Sequence, residues 1–284
     1  MSDDRISPTA AYTGYVWIKN GLSYPELVPG MGRWLYWPVQ PLMWAAAPLN
    51  GGITLEKLLL QRHRILDALV RQAISGGAVQ VVEIAAGFSG RGLRFAREKA
   101  DITYVEADLP AQAATKRAKL APLEPPSNLH VVDVDAFAED GPLSFEAATG
   151  DLLDPGQPVI VVVEGLVNYF DTDAVRVFWR RLAAWMDRFP SATYVGDLFL
   201  DDAATKGPTT GPFQALLAWF AKGNTHLHFD GPDAAVRELV EAGFDDAAVT
   251  DPADHEALGI PLSRKAEILR IVRATKDASV ADAG

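Results

Sequence analysis

The chain has 284 residues, of which 49% are hydrophobic and 22% are charged, as is ordinary for a soluble globular enzyme. Its formal net charge of −11 argues against nucleic acid as a partner, because such binding needs a basic surface. The sequence contains no cysteine, which excludes disulfides, thiolate metal ligands and a cysteine nucleophile.

The start of the chain does not have the pattern of a secretory signal. Ser2–Arg5 is acidic, and no apolar run follows it. A signal peptide has a basic start and an apolar centre, so none is predicted and the cytoplasm is the expected location.

Residues 1–75 are predicted to form a helical cap that is rich in aromatic side chains. These side chains either pack the cap onto the rest of the protein or line an apolar substrate pocket, and the two interpretations are compatible. Tyr15 and Trp17 are the candidates in the cap for contact with a substrate.

The run from Trp34 to Leu55 contains no charged residue, which raises the question of a membrane. Pro38, Pro41 and the glycine pair 51–52 interrupt it, so a spanning helix is not predicted, although peripheral contact with a membrane stays open.

The clearest helix of the cap runs from Thr54 to Ile74, where apolar residues recur at helical spacing. Serine and two glycines at 75–77 end it. Arg62 and Arg64 lie in the middle of this helix. One interpretation is that both are surface charges. The other is that one of them binds the carboxylate of a cofactor through two hydrogen bonds.

The segment 79–94 predicts a buried strand, a glycine-rich turn and the start of a helix, which is the opening unit of a nucleotide-binding α/β fold. Gly87 leads the turn, because a side chain there would block close approach of a ligand. The spacing alone is a weak signal, since Ala85 stands where the dinucleotide fingerprint has its first glycine.

Glu83, near the carboxyl end of the first strand, favours one class of cofactor. A carboxylate there would repel a pyrophosphate but would attract the ammonium and sulfonium of S-adenosylmethionine (SAM). The alternative is that Glu83 caps a turn or pairs with Arg91 or Arg94.

Three acidic residues follow the next two predicted strands, which cover 102–106 and 129–132. Asp108 and Glu106 lie about 20 residues beyond the glycine turn, where a carboxylate can grip ribose hydroxyls. Asp108 is favoured because it stands at a strand-to-helix junction. Asp133 is placed to accept a hydrogen bond from an adenine amino group, although it can equally cap the next loop.

The second half of the chain continues the α/β alternation. Strands are predicted at 158–163, 192–200, about 244–250 and 266–274, with helices at 171–188 and 232–241. Glu164 follows the fourth strand at the place where such folds bind ligands. Residues 201–230 are interpreted as a lid or substrate insertion.

Three stretches together resemble the leucine carboxyl methyltransferase family, and within it the carboxyl O-methyltransferases of polyketide biosynthesis of the tetracenomycin type. They are Val-Val-Glu-Ile-Ala-Ala-Gly-Phe-Ser-Gly-Arg-Gly-Leu-Arg, Tyr-Val-Glu-Ala-Asp-Leu-Pro and Glu-Gly-Leu-Val-Asn-Tyr-Phe, starting at positions 81, 104 and 164. The resemblance covers roughly residues 7–200, and the departures from it are Ala85 and Ser89.

The resemblance implies an α/β, Rossmann-like class I SAM methyltransferase. Its sheet would have seven mostly parallel strands in the order 3-2-1-4-5-7-6, with the last strand antiparallel. The implied domains are the cap, 1–75, and the SAM-binding domain, 76–284. The residues implied to bind SAM are Arg62 or Arg64, Gly87, Asp108, Asp133, Val134 and Glu164. Ala85 and Gly165, which lie beside them in the chain, are further candidates for cofactor contact.

The sequence therefore predicts a SAM-dependent O-methyltransferase that forms the methyl ester of a small or polyketide-like acid. A carboxylate acceptor is ionised at neutral pH and needs no general base, whereas a hydroxyl or phenol acceptor needs one. The candidates for catalysis or substrate contact beyond the cap are Tyr169, His226, His228, Phe213 and Trp219.

The alternatives from other classes are an NAD(P)-dependent oxidoreductase and a non-catalytic nucleotide-binding module. A small-molecule acceptor is the expected partner and a homo-oligomer is compatible with the sequence. No histidine and carboxylate set has the spacing of a metal site.

Overall fold

The structure, a computed structural model, describes residues 8–46, 54–201, 226–258 and 269–277. Its centre is a seven-stranded sheet in the order β3-β2-β1-β4-β5-β7-β6, with β7 antiparallel to both of its neighbours. The strands are β1 Gln80–Ile84, β2 Thr103–Asp108, β3 Leu129–Asp133, β4 Val159–Val163, β5 Ser191–Phe199, β6 Asp246–Thr250 and β7 Leu269–Asp277. The predicted α/β fold and strand order are confirmed.

Helices cover both faces of the sheet and one of its ends. They are α1 Pro8–Lys19, α2 Met31–Ala46, α3 Leu55–Ser75, α4 Arg91–Glu98, α5 Pro110–Leu120, α6 Phe145–Thr149, α7 Thr172–Met186 and α8 Pro232–Glu241. A 3₁₀ turn at Val167–Tyr169 follows β4. None of the helices in these described ranges is long and apolar enough to cross a membrane.

The middle of the sheet brings the carboxyl ends of three strands together. β4 is five β-branched residues, all buried, as expected for a central parallel strand. β1 pairs in parallel with both β2 and β4, so that Ile84 lies between Ala107 and Val163. The residues that follow these three strands are therefore neighbours at one edge.

Helix α3 joins the cap to the sheet. Its buried residues Ile65, Leu66 and Val70 pack in one core cluster with strand residues such as Val81 and Ile160. Towards its amino end, Leu55 and Leu59 pack instead with aromatic side chains of α1 and α2. The cap is thus held over the edge of the sheet by a helix that also forms part of the core, and the domain division at residue 75 stays a prediction.

The end of the described chain corrects one detail of the prediction. β7 continues to Asp277, beyond the predicted end at 274, because it pairs along the whole of β5, from Phe199 to Ser191. Lys276, beyond the predicted end of the strand, forms ion pairs with Asp187 and Asp245.

Candidate functional site

A cavity of about 450 Å³ opens at the carboxyl ends of β1, β2 and β4, beneath the cap. Its polar side is formed by residues that follow these strands, among them Gly87, Asp108 and Glu164. Its apolar side comes largely from α1 and α3. The main apolar contributions of these helices are Tyr12, Trp17, Leu55, Leu58 and Leu59.

The glycine-rich turn forms one end of the cavity and is fixed by Asp108. Ala85 and Gly87 both have positive φ, of 55° and 49°, so the chain reverses sharply after β1. Asp108 accepts hydrogen bonds from the backbone N–H groups of Gly87 and Leu109, each at 2.8 Å. Burial raises the pKa of Asp108, against these two hydrogen bonds. Each of its oxygens keeps a lone pair for a ligand.

Lys116 of α5 supports the same turn from behind. Its side chain is 3% exposed, and its ammonium donates to the carbonyl oxygens of Gly87 and Ser89. The ammonium also lies 3.1 Å from Oε2 of Glu106, which is itself buried. A buried lysine with these partners holds the turn in one conformation.

The other polar end of the cavity contains Glu164, Arg62 and Asp197. Arg62 donates from Nε to Glu164 and from Nη1 to Asp197, at 3.1 Å in both cases. Asp197 also accepts from the backbone N–H of Gly165 at 2.6 Å. A Cβ added to Gly165, whose φ is +70°, would lie 3.0 Å from Nη2 of Arg62, so the absence of a side chain lets the guanidinium approach.

Arg91 is the centre of a buried ion-pair network behind Glu164. It is fully buried, and its guanidinium donates to Asp67, Glu83 and Glu164, each at 2.6 Å. Burial alone would raise the pKa of Glu164, but His63, Arg91 and Arg62 hold it well below its usual range. Glu164 is therefore a carboxylate and a weak base.

Glu83 requires a correction. Its two oxygens accept from Arg91 at 2.6 Å and from the hydroxyl of Tyr104 at 2.8 Å, and its side chain is 2% exposed. It does not line the cavity. The alternative interpretation, a pair with Arg91, is the one that the structure contains. Glu83 faces Arg91 and not the cavity, because Arg91 reaches back from the first turn of α4.

The network as a whole still favours a cation. Counted over the described residues, it joins the guanidinium groups of three arginines to four carboxylates, through the ion pairs of Arg62, Arg91 and Arg94 with Asp67, Glu83, Glu164 and Asp197. The ring of His63 lies within it, 2.8 Å from Glu164. Glu164 is the carboxylate of this network that lines the cavity, and its negative charge makes the adjacent wall unfavourable for a phosphate.

Four further residues expected at the cofactor lie outside the cavity. Arg64 is on another face of α3 from Arg62, so the structure selects Arg62. Glu106 is buried beneath α4, against Gly92, where burial raises its pKa to about 7 despite Lys116. Asp133 pairs with Arg117 at 2.8 Å, and Val134 is buried in the core next to it. These two are adjacent to Asp108 through the β2–β3 pairing but do not contact the cavity.

Two of the aromatic residues predicted to contact the substrate line the cavity. Trp17 and Tyr169 line the cavity, whereas Tyr15 packs against Tyr36, with ring centroids 5.2 Å apart. Phe213 and Trp219 lie outside the described residues.

The predicted histidines do not reach the cavity in the described part of the chain. His228 is fully buried, with Nδ1 3.0 Å from the hydroxyl of Thr172, and burial lowers its pKa to about 4. His226 is exposed, and its backbone N–H bonds to Asn168. Neither is positioned as a base at this site.

Several cavity residues were missed as site residues from the sequence. Leu58 and Leu59 carry a usable signal, since they lie one turn before Arg62 on α3 and share its face. Asn168 lies within the third motif, four residues after Glu164, and Gln112 lies four residues after Asp108. Nothing in the spacing marks either amide as a cavity residue.

Comparison with known proteins finds similarity to one family. The sequence profile of the leucine carboxyl methyltransferase family matches residues 44–183. A protein of Mycolicibacterium gilvum, provisionally named an S-adenosyl-L-methionine-dependent methyltransferase, is 33% identical over 115 residues. That alignment covers 40% of this chain and 36% of the relative, so the chain spans about a third of the length of the curated relative it matches. The chain is therefore similar to this family over about half of its length, and to a methyltransferase over a shorter stretch.

Solved structures share the fold at low sequence identity. A provisionally named methyltransferase from Thermobifida fusca has a TM-score of 0.62 at 17% identity, over 98% of this chain and 97% of its own. PigF, solved with S-adenosylhomocysteine (SAH), has a TM-score of 0.53 at 16% identity, over 75% of this chain and 54% of its own. At these identities the likeness shows the fold alone.

Proposed function

We propose that this chain is a SAM-dependent O-methyltransferase of the leucine carboxyl methyltransferase family and that it forms the methyl ester of a small or polyketide-like carboxylic acid. The observation that carries the proposal is that Asp108, Glu164 and Arg62 line one cavity beside the glycine turn. These side chains are suited to the two polar ends of SAM, its ribose and its amino-acid group.

Asp108 would hold the ribose. Its oxygens are fixed by the N–H groups of Gly87 and Leu109, and a carboxylate fixed in this way can accept two further hydrogen bonds from neighbouring hydroxyls. The positive φ of Ala85 and Gly87 brings the backbone of the turn close to the same place.

Glu164 and Arg62 would hold the amino-acid end. Oε1 of Glu164 accepts one hydrogen bond, from Arg62, and can accept a second from an ammonium. Nη2 of Arg62 makes no hydrogen bond to any residue in the described ranges, which leaves a donor for a carboxylate. The residues present therefore fit SAM, and the carboxylate of Glu164 at the cavity disfavours a pyrophosphate coenzyme.

Methyl transfer from SAM to a carboxylate requires little acid–base catalysis by the protein. Bound SAM would supply a methyl group attached to a positively charged sulfur. When an acceptor oxygen attacks the methyl carbon in line, the sulfur is released as the thioether of SAH. The protein positions the two reactants and excludes water, and the apolar side chains of Trp17, Leu58 and Phe88 are placed to do so. A carboxylate acceptor suits the described cavity wall, which contains no histidine.

The test is the chemistry of the methylated product. The protein is incubated with methyl-labelled SAM and a panel of apolar carboxylic acids, each beside the alcohol or phenol of the same skeleton. We expect label in the acids, released as methanol by mild alkali, because esters hydrolyse under those conditions and ethers do not. Label that appears only in the hydroxyl compounds and survives alkali would contradict the carboxylate proposal.

Gly165→Ala is expected to lower SAM affinity about 10-fold or more. The added Cβ would lie 3.0 Å from Arg62 and would be strained at a φ of +70°, which costs about 1–2 kcal/mol before any displacement of the arginine. Calorimetric titration with SAM measures the effect. Gly141→Ala, at a φ of +79° with open space around it, carries the same strain far from the cavity and should leave SAM affinity unchanged.

Lys116→Met is expected to raise the dissociation constant of SAM about 10-fold. The methionine fills the space but leaves the carbonyl groups of Gly87 and Ser89 without their buried donor, at a cost of about 1–3 kcal/mol. The exposed Lys119→Met is the matched control. Equal SAM affinity in the two variants would show that the lysine does not shape the turn.

A further inference from the structure

We infer that Asn168 binds the methyl acceptor, by donating a hydrogen bond from its side-chain amide to one oxygen of the acceptor's carboxylate. The inference rests on the proposed methyltransferase function and adds to it the group that recognises the acceptor. Asn168 lines the cavity and is 5% exposed.

The orientation of the amide is fixed by its neighbour on β5. Oδ1 of Asn168 accepts a hydrogen bond from the backbone N–H of Phe199 at 2.9 Å. A backbone N–H group donates only to the carbonyl oxygen of the amide, so Nδ2 is the amide group that does not bond to Phe199.

The residue is also held through its backbone. Its carbonyl oxygen accepts from the N–H of His226 at 2.8 Å, and it lies within the 3₁₀ turn Val167–Tyr169. No acceptor among the residues that the structure describes receives a hydrogen bond from Nδ2. Asn168 is thus held by its backbone and by Oδ1, while Nδ2 stays available to donate to a ligand.

The charges around Asn168 define the class of acceptor. In the described wall the one cationic side chain is Arg62, whose remaining donor, Nη2, is assigned above to the carboxylate of SAM. A neutral donor then meets the acceptor's anionic oxygen, and Asn168 is the neutral side chain whose amide orientation is fixed by a hydrogen bond. The surrounding wall is apolar, with Leu166 and Phe170 nearby in sequence and in the cavity. This arrangement selects an apolar monocarboxylate over a dicarboxylate or a phosphate.

Two variants separate hydrogen bonding from folding. Asn168→Asp keeps an oxygen that can accept from the N–H of Phe199. It replaces the amide donor by a negative charge, which would repel the carboxylate of the acceptor. Asn168→Leu keeps the approximate volume and adds no charge, but it removes both the donor and the oxygen that bonds to Phe199, so it is read beside Asn168→Asp, which keeps that oxygen. Gln157→Glu, exposed just before β4 at the opposite end of that strand, is the control for added charge.

The experiment is calorimetric titration of the SAH-loaded protein with benzoate, 1-naphthoate and octanoate, after SAH affinity has been measured for each variant. For the acid that binds best, we expect about 10-fold or greater weakening in both Asn168 variants, the range for a lost hydrogen bond to a charged group. SAH affinity should stay within about twofold, and Gln157→Glu should match the wild type in both titrations, since neither change touches Glu164 or Asp108.

The outcomes are distinguishable. Failure of the wild type to bind SAH overturns the proposed function, and failure of the SAH-loaded wild type to bind any of the acids overturns its carboxylate part. Acid binding that is unchanged in either folded Asn168 variant overturns the role of Asn168 alone. A loss of SAH affinity as large as the loss of acid affinity would mean that the amide contacts the cofactor, which also contradicts the inference.

Discussion

Replacing Arg91 by methionine is expected to lower the free energy of unfolding by about 3–5 kcal/mol, the range for removal of one partner from a buried ion-pair network. The change leaves Asp67, Glu83 and Glu164 without the guanidinium that contacts each of them at 2.6 Å. Urea denaturation followed by circular dichroism measures the loss.

The matched control is Arg71→Met. Arg71 pairs with Glu98 at 2.6 Å, but both side chains are about half exposed, at 48% and 44%. Such a surface pair contributes at most about 1 kcal/mol. If the two variants lost equal stability, Arg91 would not be the centre of the network that positions Glu164.

Replacing Asp108 by alanine is expected to weaken SAM binding about 100-fold or more. Two hydrogen bonds from ribose to a carboxylate contribute about 1.5–3 kcal/mol each, and the variant removes both. It also releases the N–H groups of Gly87 and Leu109, so the turn itself loosens. Calorimetric titration with SAM gives the change directly.

Asp133→Ala is the control for this prediction. Asp133 lies opposite Asp108 in the β2–β3 pairing but is bonded to Arg117 at the surface and does not line the cavity. SAM affinity should change less than about threefold, since only an exposed pair is lost. An effect as large as that of Asp108→Ala would place Asp133 at the cofactor and restore the expectation from the sequence.

The fold was predictable because its signals are local. The continuous β-branched run of β4 and the glycine turn after β1 each mark a strand within a few residues, and alternating helices predict parallel strands. The place of Asp108 and Glu164 follows from the same logic, since residues after parallel strands meet at one edge. The extent of β7 was not predictable, because its end depends on pairing with β5.

The partners of the charged residues could not be read from the sequence. The order of residues shows that Glu83 is close to Arg91 and Arg94 in the chain, but only the packing of α4 against β1 decides which group faces the cavity. Lys116 illustrates the same point, since its contact with Gly87 depends on how α5 is placed.

The electrostatic argument for SAM depends on Glu164 and not on Glu83. Glu83 does not line the cavity, yet through Arg91 it belongs to the network that holds Glu164 as a carboxylate. Glu164 is the member of that network that reaches the cavity. The preference for a cation is therefore a property of the assembled network and not of the residue that first suggested it.

Parallel calorimetric titrations of the wild-type protein with SAH and with NADH test this account most directly. We expect SAH to bind one site per chain, with affinity lost in Asp108→Ala, and NADH to give no heat and no competition. Saturable binding of NADH that depends on Asp108, in a protein that ignores SAH, would contradict it.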